Sequence, residues 1–144
     1  MLIVNTYTAQ SEIHGIGLFC AEEKIEKGRP VWVYKEGYDL KIKVNDIPEE
    51  LRGYLDKYST VSPEKDKILF KDGYQYVTYN DSLIYHLDGD NCKYMNHSDN
   101  PNVVFNDNIG IAIKDIELNE ELTCDYSKIT TKEHFEFLML NKED

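Results

Sequence analysis

The sequence predicts one mostly β (α+β) domain with two small helices, and three observations support this fold class. Short apolar and aromatic runs recur along the chain between Gly, Asn, Asp and Pro residues, which is the spacing typical of strands and turns. Eleven tyrosines suit the half-buried surfaces of pleated strands. A length of 144 residues, with no linker or low-complexity tract, matches a single domain over residues 1–144.

The predicted strands follow the apolar runs. We expect them at residues 2–7, 16–20, 30–34, 68–70, 74–79, 83–86, 102–105, 109–113 and 121–125. Gly28 and Asn119 occupy equivalent places in two similar turns. Both are expected to adopt the left-handed backbone conformation, which Gly reaches freely and Asn more readily than most residues.

Residues 48–58 predict the first helix. Their apolar side chains recur at i, i+3, i+4 and i+7, and Pro48 stands where a first-turn proline is favoured. This spacing predicts a face packed against the core. The residues of that face are Leu51, Tyr54, Leu55 and Tyr58.

Residues 131–140 predict the second helix. Thr130 and Glu133 have the spacing of a capping box at its start. Phe135, Leu138 and Met139 form an apolar stripe that we expect to pack against the core. Apolar residues on this helix would also allow two copies of the chain to pair as a homodimer.

The charge restricts the class of partner. A formal net charge of −11 at pH 7 argues against direct binding of nucleic acid, because phosphates would be repelled. It favours a basic partner, such as a lysine-rich protein or peptide, although the acidity could serve solubility alone. The sequence has no apolar stretch of about 18 residues, so no membrane-spanning helix is predicted.

The cysteines and the first residues predict the compartment. Cys20, Cys92 and Cys124 are scattered and odd in number, which argues for reduced thiols. The first residues lack the basic and long apolar regions of a secretory signal. We therefore expect a cytoplasmic protein, with the nucleus as the alternative intracellular compartment.

Three segments contain residue types that could carry chemistry, and the first is Gly15-Ile16-Gly17. Two glycines let a backbone approach a ligand closely and expose its N–H and C=O groups. The segment is not a dinucleotide-binding fingerprint, since no helical pattern follows it. A tight turn without a ligand is the alternative interpretation, and the residues alone favour it.

The second and third segments contain Asn96-His97 and Tyr126. An asparagine beside apolar residues must satisfy its amide through the backbone or through a ligand. An Asx-type turn that braces a loop would explain Asn96 without a ligand, and both interpretations can hold together. Tyr126 follows a predicted strand and, considered alone, is a core or edge tyrosine.

Taken together, the three segments resemble the signature of SET-domain protein-lysine methyltransferases. Residues 15–17 match the family's Gly-x-Gly, residues 96–102 its Asn-His-Ser-x-x-Pro-Asn, and residues 120–126 its Glu-Glu-Leu-Thr-x-Asp-Tyr. The order and rough spacing agree, and the match covers nearly the whole chain. The resemblance implies a SET β-clip fold in which the C-terminal segment threads beneath a loop to form a pseudoknot.

The resemblance also implies an activity, which is transfer of a methyl group from S-adenosylmethionine to a lysine amine of a protein. In this family the glycine loop holds the methionine part of the cofactor, the asparagine contacts its amino-acid end, and the histidine offers backbone groups to the adenine. The tyrosine is catalytic. The implied cofactor-binding residues are Gly15, Ile16, Gly17, Asn96 and His97, and the implied catalytic residue is Tyr126.

Substrate channels in this family are lined by aromatic side chains. The sequence offers several candidates, and it does not decide between a channel and a core position for any of them. These candidates are Tyr74, Tyr76, Tyr79, Tyr85, Phe135 and Phe137.

The chain departs from the family pattern at two positions. Asp99 stands where many members have Cys, and residues 127–144 contain no cysteine, so we expect no zinc-binding C-terminal module and no metal site. The chain therefore resembles the minimal viral and bacterial members, with the helix at 131–140 closing the site. Cys124 stands where many members have a Phe or Tyr that limits the number of methyl groups added, and we expect its thiol to be buried rather than nucleophilic.

Two other functions stay open at this point. Asp99 and Cys124 are compatible with a catalytically weak SET-like module that binds S-adenosylmethionine or a peptide without turnover. A structural β-clip protein without a small ligand is the third hypothesis.

Overall fold

The computed structural model describes residues 1–63, 68–71, 74–77, 83–106 and 108–140. These residues form mostly strands with two helices, which confirms the predicted fold class. The helices are α1 (Glu49–Tyr58) and α2 (Lys132–Leu140). The strands are β1 (Thr6–Gln10), β2 (Ile16–Cys20), β3 (Lys24–Ile25), β4 (Pro30–Val33), β5 (Leu40–Lys43), β6 (Thr60–Pro63), β7 (Ile68–Lys71), β8 (Tyr74–Val77), β9 (Leu83–Leu87), β10 (Asn96–His97), β11 (Val103–Asn106), β12 (Ile109–Ala112), β13 (Ile116–Glu117) and β14 (Glu121–Cys124).

One four-stranded sheet positions the three motif segments. Its strand order is β1–β2–β14–β10. β14 pairs antiparallel with β2 and parallel with β10, where Asn96 lies opposite Thr123. The glycine turn leads into β2 and Tyr126 follows β14, so the sheet brings the three segments together although they are distant along the chain. The threading of the C-terminal segment beneath a loop stays a prediction.

The other strands form smaller sheets. β12 lies between β11 and β4, β9 lies between β5 and β6, and β3–β13 and β7–β8 are two-stranded pairs. The first strand begins at Thr6, later than expected, because the preceding residues bond to β4 instead: Ile3 N–H donates to Val31 O at 2.9 Å, and Val33 N–H donates to Met1 O at 3.0 Å.

The main core lies between the site-bearing sheet and the sheet of β4, β11 and β12. A second, smaller cluster of buried residues (Leu55, Val61 and Tyr85) joins α1 to β6 and β9. The fully buried side chains of the main core include Leu18, Cys20, Ile25, Val31, Val103, Ile116 and Leu122.

The predicted core face of α1 is only partly correct. Leu55 is buried, but Leu51 is 55% exposed and Tyr54 is 48% exposed. α1 meets the domain through the small second cluster and through α2, which is too narrow a contact to cover the whole stripe. Pro48 is the residue before the helix rather than its first residue, and its carbonyl accepts from Leu51 N–H at 3.0 Å.

The start of α2 also differs from the prediction. Thr131, not Thr130, caps the helix, because its Oγ1 accepts from His134 N–H at 3.2 Å. The Thr130 hydroxyl is engaged elsewhere, since it accepts from Val61 N–H at 2.8 Å and so ties the chain to β6. The buried residue of α2 is His134 rather than a member of the apolar stripe.

Two local predictions are confirmed. Gly28 has φ +92° and Asn119 has φ +68°, so both occupy the left-handed region. All three cysteines are buried and free. Within the described ranges, neither helix has the length and apolar content needed to cross a membrane.

Candidate active site

The glycine turn is built by Ser11. Its Oγ accepts from Ile13 N–H at 2.9 Å and from His14 N–H at 3.3 Å, and its own N–H donates to Gly15 O at 2.8 Å. Gly15 has φ +47°, a conformation that residues with a side chain rarely adopt. Hydrogen bonds within residues 11–15 therefore close the turn. The backbone of residues 14–17 stays available to neighbouring groups.

Asn96 connects β10 to this turn. Its side chain is buried, and Nδ2 donates to His14 O at 2.9 Å, to Ile16 O at 3.3 Å and to Glu121 Oε2 at 2.9 Å. Within the described part of the chain, no hydrogen bond is made to its Oδ1. The amide thus braces the glycine turn through its NH₂ group. Among the described residues it forms no Asx-type turn, because that turn needs Oδ1 as the acceptor, and a ligand contact of Asn96 stays a prediction.

The imidazole of His97 joins β10 to the segment that carries Tyr126. Its Nδ1 accepts from Tyr126 N–H at 3.0 Å, which requires the proton to be on Nε2, where it donates to Asp99 Oδ1 at 2.9 Å. The ring also packs against the rings of Tyr126 and Phe135, each with its centroid at 5.4 Å.

Asn102, the last residue of the second motif, fixes the same region from the other side. Its side chain is buried and forms two hydrogen bonds to the β14 backbone, because Nδ2 donates to Glu121 O and Oδ1 accepts from Thr123 N–H, each at 2.8 Å. The side-chain amide bonds to backbone N–H and C=O groups of β14, as the backbone of a neighbouring strand would. The loop after β10 is therefore held against β14.

Tyr126 is held by its hydroxyl as well as by its backbone. The hydroxyl donates to Met95 O at 2.6 Å. Burial is the main cause that raises the pKa of Tyr126, and the nearby Cys124 and Glu121 groups raise it further. The phenol is therefore protonated at neutral pH, and its oxygen lone pairs are directed away from the bond to Met95.

Tyr126 lines two cavities. The larger, of about 250 Å³, is lined by the glycine turn, Asn96, His97 and residues of both helices. The smaller, of about 60 Å³, is lined by residues including Met95, Phe105 and Cys124. The residues that line both cavities are Lys57, Tyr58, Lys93, Tyr126 and Leu138. All six predicted site residues except Gly17 line one or both cavities, and Gly17 is directly adjacent in the chain to Ile16.

The comparison with protein families agrees with this arrangement, since the SET-domain model matches residues 15–127. The chain belongs to the SET-domain family. Comparison with curated protein sequences gave no match.

Solved structures of SET histone methyltransferases have a similar fold. A candidate histone methyltransferase of Plasmodium falciparum is 19% identical with a TM-score of 0.50, over 86% of this chain and 94% of the other. Polycomb Repressive Complex 2 of Chaetomium thermophilum matches in an autoinhibited apo state, with 21% identity and a TM-score of 0.58, over 96% of this chain and 17% of the other. The same complex bound to S-adenosylmethionine matches with 23% identity and a TM-score of 0.53, over 97% of this chain and 17% of the other.

The SET domain has site residues that the sequence did not suggest. Lys57 and Lys93 bring two positive charges to the wall shared by the cavities. Tyr58, which lines both cavities, packs edge to face against Tyr94, which lines the larger one, with ring centroids 5.6 Å apart. The apolar period of α1 predicts only a face packed against the core, and it does not indicate that the C-terminal end of α1 lines a cavity.

The aromatic candidates for the channel separate into different groups. Phe137 lines the larger cavity, and Phe135 contacts the ring of His97. Tyr85 instead lies in the second core cluster. Tyr74 and Tyr76 are on β8, and Tyr79 lies outside the described residues.

The thiols beside Tyr126 are poorly suited to nucleophilic chemistry. Cys92 and Cys124 are buried at the smaller cavity, and burial raises the pKa of both thiols well above the ordinary value. Both are therefore protonated at neutral pH, and a thiol is a weak nucleophile compared with a thiolate. Among the described residues, no group of three or more His, Cys, Asp or Glu side chains is arranged to hold a metal ion.

Proposed function

We propose that this SET domain is a protein-lysine N-methyltransferase that transfers a methyl group from S-adenosylmethionine to the side-chain amine of a lysine. The observation that carries the proposal is that Tyr126 lines both a larger cavity, which the glycine turn also lines, and a smaller cavity, which Cys124 also lines. One cavity can take the methyl donor and the other the lysine side chain.

The residues of the larger cavity fit the cofactor. The backbone of Gly15, Ile16 and Gly17 can approach its methionine part closely, because two of the three residues have no side chain. The unused Oδ1 of Asn96 is a suitable acceptor for its ammonium group. His97 would contribute backbone groups to the adenine side. Bound there, S-adenosylmethionine supplies an electrophilic methyl group on a sulfonium.

The residues of the smaller cavity prepare the amine. A lysine with a pKa of about 10.4 is roughly 0.1% neutral near pH 7.4, and only the neutral amine can attack. Apolar walls and a neighbouring positive charge lower that pKa, so the proton leaves to solvent. Because the Tyr126 hydroxyl donates to Met95 O, its oxygen can accept an amine N–H and direct the nitrogen lone pair toward the methyl carbon. Such orientation can contribute several kcal/mol to lowering the barrier.

The proposed partner is a basic, lysine-containing protein or peptide. The net charge of −11 would attract such a segment and repel nucleic acid. The buried Cys124 is smaller than the Phe or Tyr of many family members, which leaves space near the amine for more than one methyl group. The degree of methylation is therefore one of the quantities to measure.

The activity is tested by incubating the protein with heavy-methyl S-adenosylmethionine and a pool of lysine-rich peptides, followed by mass spectrometry. We expect heavy methyl groups on lysine. Cofactor binding without any transfer would favour the alternative function, a catalytically weak SET-like module. Absence of both binding and transfer would favour the structural β-clip hypothesis.

The catalytic residue is tested by Tyr126→Phe. The variant loses the oxygen that accepts the amine N–H, so we expect kcat to fall by about 100-fold while the affinity for S-adenosylmethionine changes by less than about threefold. Tyr38→Phe is the matched control, because Tyr38 is 41% exposed and lines neither cavity. Transfer by Tyr126→Phe at the wild-type rate would remove Tyr126 from the mechanism.

A further inference from the structure

The carboxylate of Glu121 is where two distant segments of the chain meet. Glu121 begins β14, and its Oε1 accepts from Ser11 Oγ at 2.6 Å. Its Oε2 accepts from Asn96 Nδ2 at 2.9 Å. Ser11 stabilises the glycine turn and Asn96 belongs to β10, so one side chain links two segments that line the larger cavity.

We infer that Glu121 is a positioning residue of the methyl-donor site, which sets the orientation of the Asn96 amide and holds the Ser11–Gly15 turn against it before any ligand binds. The inference deepens the proposed function and rests on it for the identity of the ligand. It does not require Glu121 to touch that ligand.

The orientation of the Asn96 amide follows from the chemistry of its neighbours. The carbonyls of His14 and Ile16 and the carboxylate of Glu121 all accept hydrogen bonds, and an ionised carboxylate cannot donate. All three therefore select the NH₂ end of the amide, which leaves Oδ1 as the end without a described partner. A glutamine at position 121 could offer its own NH₂ group instead, and the preference for one orientation would weaken.

Glu121 also explains the second glycine of the turn. A Cβ atom on residue 17 would lie 2.7 Å from Glu121 Oε2 and 2.8 Å from its Cδ, which is closer than real contacts allow. The absence of a side chain at Gly17 is therefore what lets the carboxylate reach Ser11 and Asn96. Gly17 thus leaves space for the Glu121 carboxylate, whereas Gly15 allows the positive φ angle of the turn.

A direct electrostatic effect is the competing explanation. The negative charge of Glu121 lies close enough to Tyr126 to contribute to its raised pKa, after burial and Cys124. The same charge could favour a cationic ligand without any help from Asn96. The two explanations differ in whether the effect of Glu121 depends on the amide of Asn96.

A double-mutant cycle separates them. We expect Glu121→Gln to raise the calorimetric Kd for S-adenosylmethionine by about tenfold, because a charged hydrogen-bond partner is lost. In an Asn96→Ala background the same change should raise the Kd by less than about twofold. Glu23→Gln is the control, since it removes an equal charge from an exposed position away from both cavities. A tenfold effect in both backgrounds would overturn the inference in favour of direct electrostatics.

A measurement without ligand makes the inference independent of the proposed function. The Asn96 side-chain NH₂ signals, followed by ¹⁵N NMR, should shift and exchange faster with water in Glu121→Gln and not in Glu23→Gln. Ser11→Ala removes the other partner of the carboxylate and should produce a smaller change in the same direction, even if Glu121→Gln does not fold. Unchanged NH₂ signals in the folded Glu121→Gln protein, or in Ser11→Ala if only that variant folds, would overturn the inference. A wild-type protein that binds no S-adenosylmethionine would overturn the proposed function alone.

Discussion

Two side chains of the site are held by hydrogen bonds that they donate, and each keeps oxygen lone pairs available. Tyr126 gives its hydroxyl proton to Met95 O, and Asn96 gives its amide protons to the glycine turn and Glu121. In both residues the oxygen lone pairs have no other partner among the described residues and can accept from the proposed ligands. Changes that keep the shape of these residues but remove one partner should therefore alter binding or turnover more than folding.

Gly17→Ala is the most informative change at this scale. Its Cβ would displace the flexible end of the Glu121 side chain and break the hydrogen bonds of the carboxylate to Ser11 and Asn96. We therefore expect the Kd for S-adenosylmethionine to rise at least about tenfold and the free energy of unfolding to fall by about 1–3 kcal/mol. Calorimetry and urea unfolding measure the two effects. Gly53→Ala provides the comparison for stability, because nothing lies within 4 Å of its added Cβ and alanine favours an exposed helix by about 0.5–1 kcal/mol.

The sequence identifies some of these residues and not others for a physical reason. Gly15, Gly17, Asn96 and Tyr126 belong to short motifs whose residue types are informative by themselves. Glu121 also lies inside a motif, but two adjacent glutamates are typical of a solvated turn and do not indicate a contact. Its hydrogen-bond partner Ser11 lies 110 residues away, a contact that no local pattern can indicate.

The two helices are joined by His134. Its ring is buried, Nδ1 contacts Thr130 Oγ1 at 2.7 Å and Nε2 contacts Asp56 O at 2.5 Å. The carbonyl of Asp56 can only accept, so Nε2 carries the proton and Nδ1 accepts from the hydroxyl. This neutral ring fixes α2 against α1, and both helices line the larger cavity.

Burial is the main cause that lowers the pKa of His134, which gives stability a defined dependence on pH. Since the unfolded chain takes up this proton at a higher pH than the folded protein, the contribution is complete above about pH 6.5 and decreases as the pH falls through that value toward the folded pKa. We expect His134→Gln to lower the free energy of unfolding by about 1–3 kcal/mol at pH 7.5 and to reduce its decline toward pH 5.

Urea unfolding at both pH values tests this expectation. His14→Gln is the matched control, because His14 is only half buried and lies outside the contact between the helices. An equal decline toward pH 5 in the wild type and in His134→Gln would contradict the assignment of the pH dependence to this ring.

At the element scale, the sequence predicts the strands with apolar runs and both helices well. It misses the two-residue strands β3, β10 and β13, which are too short to show a period. It also misses the lysine-rich β5, and β6, in which Val61 is the only aliphatic residue apart from a proline. It assigns Leu51 and Tyr54 to a core face that the small contact of α1 does not bury. Which side of a helix is covered depends on neighbours that are distant in the sequence, and periodicity alone cannot specify them.

For the molecule as a whole, charge governs the encounter with the proposed basic substrate. With a net charge of −11, we expect the KM for a lysine-rich peptide to rise about three- to tenfold between 50 and 300 mM salt, with little change in kcat. Steady-state kinetics at constant pH measure both constants. A peptide whose flanking lysines are replaced by alanine should show a much weaker salt dependence, and an equal dependence for both peptides would contradict the charge argument.

The overall fold could be predicted because the sequence motifs occur in a recognisable order. Their arrangement in space could not be derived from that order. β14 comes last among the strands, yet it lies between β2 and β10 in the sheet. Only the pairing of β14 on both edges explains why the glycine turn, Asn96 and Tyr126 meet at one place.

The wall shared by the two cavities has a thermodynamic consequence. Tyr58, Lys93 and Tyr126 each line both cavities. A ligand bound in one cavity therefore restricts the motion of side chains that a ligand in the other cavity would also have to order. The second occupant then loses less conformational entropy on arrival, and heterotropic linkage makes the gain in affinity equal in both directions. The proposed methyl donor and the proposed lysine substrate should therefore each bind more tightly when the other is already bound.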